Sequence, residues 1–196
     1  MKRTLPLLLI LFIALCGCVQ EKEMYIAPAQ LTQQEKDIAN LLGANLDQRI
    51  FDFQADDTIR RMEVNAYELI DGKWEMFYGG GGASHTDPTG RIALDFDNIA
   101  EGLRIAVQSE HRSGSTGLTR DAELDTSGMH IATSLLSQRT PIVYEQEIPL
   151  AIQVYAKGNQ IYSYDPTYFH QPLKYAEGNY DHVYAVTVTF SQIPLQ

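Results

Sequence analysis

The sequence predicts a mainly β chain, an antiparallel β-sandwich with one short N-terminal helix. Short runs rich in β-branched and aromatic residues recur from residue 59 to residue 190. Turn-forming residues separate them, and no helical pattern stands between successive runs, as a doubly wound parallel sheet would require.

The helix comes first. Thr32 and Glu35 have the spacing of a capping box, in which each end of the pair satisfies a backbone N–H of the first turn. Ile38, Leu41 and Leu42 follow at helical intervals and Gly43 offers a stop, so residues 33–42 read as one helix with a narrow apolar stripe. Residues 59–70 and 73–77 read as a hairpin, because Asp71-Gly72 suits a two-residue turn whose positions both take positive φ. Met62, Val64 and Ala66 alternate with Arg61, Glu63 and Asn65, which gives the first strand one apolar face. Trp74 and Met76 are expected to bury against it. Further strands are expected at 91–96, 103–109, 142–147, 149–155, 160–164 and 182–190, with turns at 79–82, 97–102, 113–117 and 178–179. Residues 127–137 fit a short helix or a strand.

The chain has 196 residues, 44% of them hydrophobic, enough for a single core that needs no metal or disulfide staple. Its formal charge of −10 and the lack of a Lys/Arg run argue against a nucleic-acid partner, since a polyanion requires several phosphates to be neutralised. The two cysteines, Cys16 and Cys18, both close the N-terminal apolar run, so thiol catalysis and cysteine-ligated zinc are not expected beyond it.

Met1-Lys2-Arg3 is a short positive region followed by an apolar stretch at 5–15. Eleven helical residues span about 16 Å, too little for a hydrocarbon core of roughly 30 Å, so the stretch reads as a secretory signal and not a permanent span. Leu15-Cys16-Gly17-Cys18 then resembles the lipobox of bacterial lipoproteins, with leucine three before the cysteine and a small residue just before it. Cysteine at the second lipobox position departs from the commoner small residue. The resemblance covers only residues 1–18. It implies a diacylglyceryl group on Cys18, cleavage before it, and a chain anchored to the cell membrane or outer membrane, facing outside the cytoplasm. Cys16 is the alternative attachment point, disfavoured because Leu15 would then precede the cut; an ordinary secretory signal that happens to end in Cys-Gly-Cys is the plainer alternative. The expected organisation is a signal peptide at 1–17, a lipidated N-terminus and tether at 18–30, and one β-rich domain at 31–196.

No motif in the domain carries recognisable chemistry. The glycine run at 79–82 lacks the Gly-Lys-Ser/Thr of a phosphate loop and reads as a hairpin loop. The segment 113–117 lacks the spacing of a nucleophile elbow, and Ser84, His85 and Asp87 are neighbours in sequence without forming a triad by that fact. Asp121, Glu123 and Asp125 begin like a calcium loop, but Thr126 stands where glycine is needed and Ala132 where glutamate is, which favours a solvated acidic edge. His85, His111, His130, His170 and His182 are scattered, with no pair at helical ligand spacing. Seven tyrosines, Tyr155, Tyr162, Tyr164, Tyr168, Tyr175, Tyr180 and Tyr184, crowd the last third with Phe169. They suit sugar stacking or a protein contact, or else fill half-buried positions at a sandwich rim. The sequence assigns no catalytic residue, metal or cofactor. Its expected role is a non-catalytic, membrane-anchored binding module for an envelope protein or glycan; the alternative is an envelope-acting hydrolase whose carboxylates only the fold brings together.

Overall fold

A computed structural model describes residues 23–43, 46–79, 83–119, 124–158 and 161–195. It is a mainly β structure of two antiparallel sheets packed as a sandwich. The first sheet has the order β10-β1-β2-β6-β7-β8, built from Thr140–Pro141, Tyr25–Pro28, Ile50–Gln54, Thr89–Asp95, Gly102–Ser109 and Ser113–Thr119. The second has the order β4-β3-β12-β11-β9, built from Lys73–Tyr78, Arg61–Ile70, His182–Ser191, Glu147–Ala156 and His130–Leu135, with β5 (Ala83–Ser84) pairing β3.

The inner faces meet as alternation dictates. Phe51 and Phe53, Ile92 and Leu94, and Leu103 and Ile105 come from the first sheet; Met62, Ala66, Val186, Val188 and Phe190 come from the second. Buried among them is Gln153, whose amide is fully satisfied. Its oxygen accepts from Ile99 N–H at 2.7 Å and Tyr155 O–H at 2.6 Å, and its nitrogen donates to Asp97 O at 2.9 Å and Thr133 Oγ1 at 3.0 Å.

The helix, α1 (Gln33–Leu42), forms where the sequence places it, and the capping box is present: Glu35 N–H donates to Thr32 Oγ1 and Thr32 N–H to Glu35 Oε2. Glu35 also receives Arg91 Nη1 at 2.7 Å while Arg91 Nε reaches Asp52 Oδ1 at 2.7 Å, fastening the helix to the outer face of the first sheet. The expected stripe stays largely in solvent: Ala39 is buried, whereas Leu41 is 85% exposed.

The β3–β4 hairpin turns through Asp71 at φ 48° and Gly72 at φ 76°. A bulge between Ala66 and Tyr67 corrects the expected facing of its return strand. Trp74 pairs with Leu69 and Met76 with Tyr67, so both fall on the outer face of the second sheet; Met76 remains 48% exposed, and Phe77 and Tyr78 reach the core instead.

Several expectations need correction. Part of the expected tether at 18–30 is strand β1, paired on both sides by β2 and β10. Residues 142–146 are a turn and not a strand: Gln146 N–H donates to Val143 O, and Glu145 at φ 62° swings the chain from one sheet to the other. Residues 161–165 are irregular, while 113–117, expected as a turn, lies in β8 and pairs with β7 throughout. The undecided stretch 127–137 contains strand β9.

The tyrosine-rich segment forms a third layer. Two 3-10 helices, Pro166–His170 and Pro172–Gly178, lie over the outer face of the second sheet. Phe169 stacks on Trp74 with ring centres 5.0 Å apart, Trp74 Nε1–H donates to Phe169 O, and Tyr164 packs against Tyr168, Tyr175 and Tyr180. This cover is why β11 and β12 are buried at nearly every position, where a two-layer sandwich would alternate. Among the described residues no helix is long and apolar enough to cross a membrane.

Candidate functional site

The two sheets part along one side. There the inner face of β8 offers Gly114 and Thr116 opposite Val107 and Ile105 of β7, small groups where the neighbouring strand brings branched ones. The second sheet faces them with Met62 and Val64 of β3, Tyr78 of β4 and the two-residue strand β5. The result is an apolar cleft of two overlapping lobes, about 370 and 300 Å³, both bounded by Met62, Ala83, Ile105, Val107 and Thr116. Volumes of that order accept a small ligand. Tyr78 O–H reaches Thr116 Oγ1 at 3.4 Å across the gap. A side chain at Gly114 would meet nothing within 4 Å.

The rim of the second lobe is polar. Ser84, His85, Arg112 and Ser113 stand in its wall. Arg112 Nη1 donates to Ser84 O at 2.6 Å, which ties the β7–β8 hairpin to the end of β5. Among the described residues no carboxylate lies within ion-pair distance of Arg112. His85 is 3% exposed, packs edge-on to Phe53 with ring centres 5.4 Å apart, and leaves Nε2 without a hydrogen-bond partner; burial lowers its pKa.

No protein-family model matches this chain, and comparison with curated proteins and solved structures gives no significant match.

Beside the rim, Asp87 gathers three donors. Ser109 O–H reaches Oδ2 at 2.5 Å, His111 N–H reaches Oδ2 at 3.0 Å, and His111 Nδ1 lies 2.9 Å from Oδ1. The Ser109 and His111 hydrogen bonds hold the Asp87 pKa down to about 2. In return the Asp87 bond raises the pKa of His111, whose side chain is 71% exposed. The arrangement orients an imidazole, but the Ser109 hydroxyl donates to the carboxylate and not to the imidazole, so this serine is not placed as a histidine-activated nucleophile. Ser84, three residues before Asp87, takes no part, while His85, two before it, is influenced by the Asp87 backbone and charge, which oppose the lowering of its pKa by burial.

The other sequence candidates disperse. Asp125 caps a local turn through Ser127 N–H, while Asp121 and Glu123 lie outside the described residues, as do Cys16, Cys18 and residues 80–82 of the glycine run. His182 Nδ1 is 3.4 Å from Glu68 Oε1, which also receives Tyr184 O–H, at the far end of β12. Among the described residues no three His, Cys, Asp or Glu side chains are placed to hold a metal ion. A larger groove of about 670 Å³ runs between α1 and the first sheet at β6, β7 and β8; its Arg91 is held by Glu35 and Asp52, and its Arg104 donates to Ser115 Oγ at 3.2 Å. The cleft was missed in sequence because Gly and Ser in 113–117 read as turn residues; their alternation with Thr116 and Leu118 was the available signal.

Proposed function

We propose that this chain is a lipid-anchored, extracytoplasmic binding module whose ligand site is the apolar cleft between the sheets. The lipobox-like Leu15-Cys16-Gly17-Cys18 supports the anchor on Cys18, in the cell membrane or the outer membrane. The cleft carries the binding half of the reading. An unfilled apolar space between two otherwise close-packed sheets forgoes packing energy that larger residues at Gly114 and Thr116 would recover.

The tyrosine layer narrows the partner expected from the sequence, an envelope protein or glycan. Rings suited to sugar stacking are spent on one another, and of the tyrosines in 161–180 only Tyr162 is largely exposed, at 66%. The hydrolase alternative needs two carboxylates facing each other in a cleft. Among the described residues the cleft wall contains none, and the α1 groove has only Glu35, already paired with Arg91.

Two experiments test the two halves. Metabolic labelling with radioactive palmitate should mark the wild type and leave Cys18→Ser unlabelled; label on the mutant would overturn the anchor. A thermal-shift screen of the full chain against divalent cations, cell-wall fragments, glycans, peptides and small amphiphiles should find a class that raises Tm, since a ligand bound only by the folded state must do so. That shift should vanish in Gly114→Leu, which fills the cleft. No shift from any class, or one that persists in the variant, counts against the cleft.

A further inference from the structure

We infer that the cleft accommodates a single-chain amphiphile with an anionic head, the tail lying between the sheets and the head meeting Arg112 at the rim. The inference rests on the cleft being the ligand site. Its interior asks for hydrocarbon: Met62, Val64, Ile105 and Val107 line it without a charged group. Its rim asks for an anion. Arg112 is the one charged side chain among the described residues in the wall of the second lobe, and its bond to Ser84 O occupies one N–H, leaving the rest of a planar, five-donor guanidinium for a carboxylate or phosphate. Ser113 supplies a hydroxyl beside it. In a chain of net charge −10, a cation with no carboxylate partner among the described residues, at the mouth of an apolar cavity, is the feature that selects the head.

The position of the rim fits a ligand drawn from a bilayer. The pairings Tyr25↔Gln54, Gln54↔Thr89, Gly90↔Ser109 and Gln108↔Ser113 place the start of β1 and the β7–β8 hairpin at one end of the first sheet. Three strand spacings, about 15 Å, separate β1 from β7. Cys18 is seven residues before Tyr25, a reach of at most roughly 25 Å. A chain anchored at Cys18 therefore keeps the rim within about 40 Å of its lipid, near enough for Arg112 to reach the headgroup region.

The test is a methyl NMR titration of the full chain carrying Cys18→Ser, following Met62, Ile105 and Val107 with decyl phosphate, decanoate and decanol. Both anionic probes should move these methyls at concentrations at least tenfold below decanol, and the tighter of the two names the head. Arg112→Gln should raise the anionic midpoints about tenfold and leave that of decanol unchanged. Gly114→Leu, and independently Thr116→Leu, should abolish the shifts of all three. Equal midpoints for decanol and decyl phosphate, or an Arg112→Gln chain that binds as the wild type does, would overturn the anionic head while the cleft stands. Shifts that persist in both filled variants would overturn the cleft itself. No methyl movement with any decyl probe overturns the inference.

Discussion

Asp87 and His111 form a pair whose ionisation states depend on each other, and the dependence has a definite sign. The Asp87 pKa is depressed from its ordinary 3.8 to about 2, so its contribution is complete above 3.8 and lost as pH falls towards 2. His111 is raised from 6.5, so its contribution is complete below 6.5 and lost as pH rises through the raised value. The pair thus stabilises most between those ordinary values. In Asp87→Asn the His111 pKa should fall back towards 6.5 in an NMR titration; an unchanged value would mean that the bond does not form in solution. Gln153 allows a second test. Gln153→Leu leaves the Ile99 N–H and the Tyr155 O–H buried without their acceptor, which should cost on the order of 3 kcal/mol in urea denaturation. A loss below about 1 kcal/mol would show that water replaces the amide. Neither arrangement was legible in the sequence. Asp87 meets His111 across two strands and a hairpin, and a glutamine inside an apolar run gives no sign of which loop it will satisfy.

At the scale of elements, legibility followed locality. The capping box and the Asp71-Gly72 turn are settled by residues three or two apart, and both formed as expected. Thr32→Ala should accordingly weaken α1 by about 1 kcal/mol, seen as roughly fivefold faster hydrogen exchange of its amides with little change in global stability. Strands failed where tertiary context decided. β2 is short and interrupted by Asp52, β8 is glycine- and serine-rich, and the bulge that turns Trp74 outward has no local mark. The tyrosine layer could not be distinguished from a rim because its partner, the outer face of the second sheet, is assembled from distant strands. Trp74 is the only tryptophan, and it sits between that sheet and the layer. In Phe169→Ala, its fluorescence should shift to the red at a denaturant concentration below the main circular-dichroism transition, the layer having lost about 3 kcal/mol or more of packing. Coincident transitions would mean that the layer and sandwich unfold as one.

For the whole molecule, the β-sandwich was legible because composition, strand spacing and the lack of intervening helices all point to one architecture. The cleft was not, because an empty space is a relation between two sheets and leaves no motif in either. The burial of β11 and β12 on both faces makes the second sheet the rigid spine of the molecule, whereas the cleft lies at the side where that sheet ends in β4 and β5. Beyond organising the fold, the placement of β1 has a mechanical consequence. The strand sits between β10 and β2, with its first residue nearest the proposed anchor. Tension on an anchored N-terminus would run along the strand axis and load the hydrogen bonds on both sides together, in shear and not one at a time. Thermal motion of the bilayer would then rock the sandwich as a single body, instead of unravelling it from its first residue.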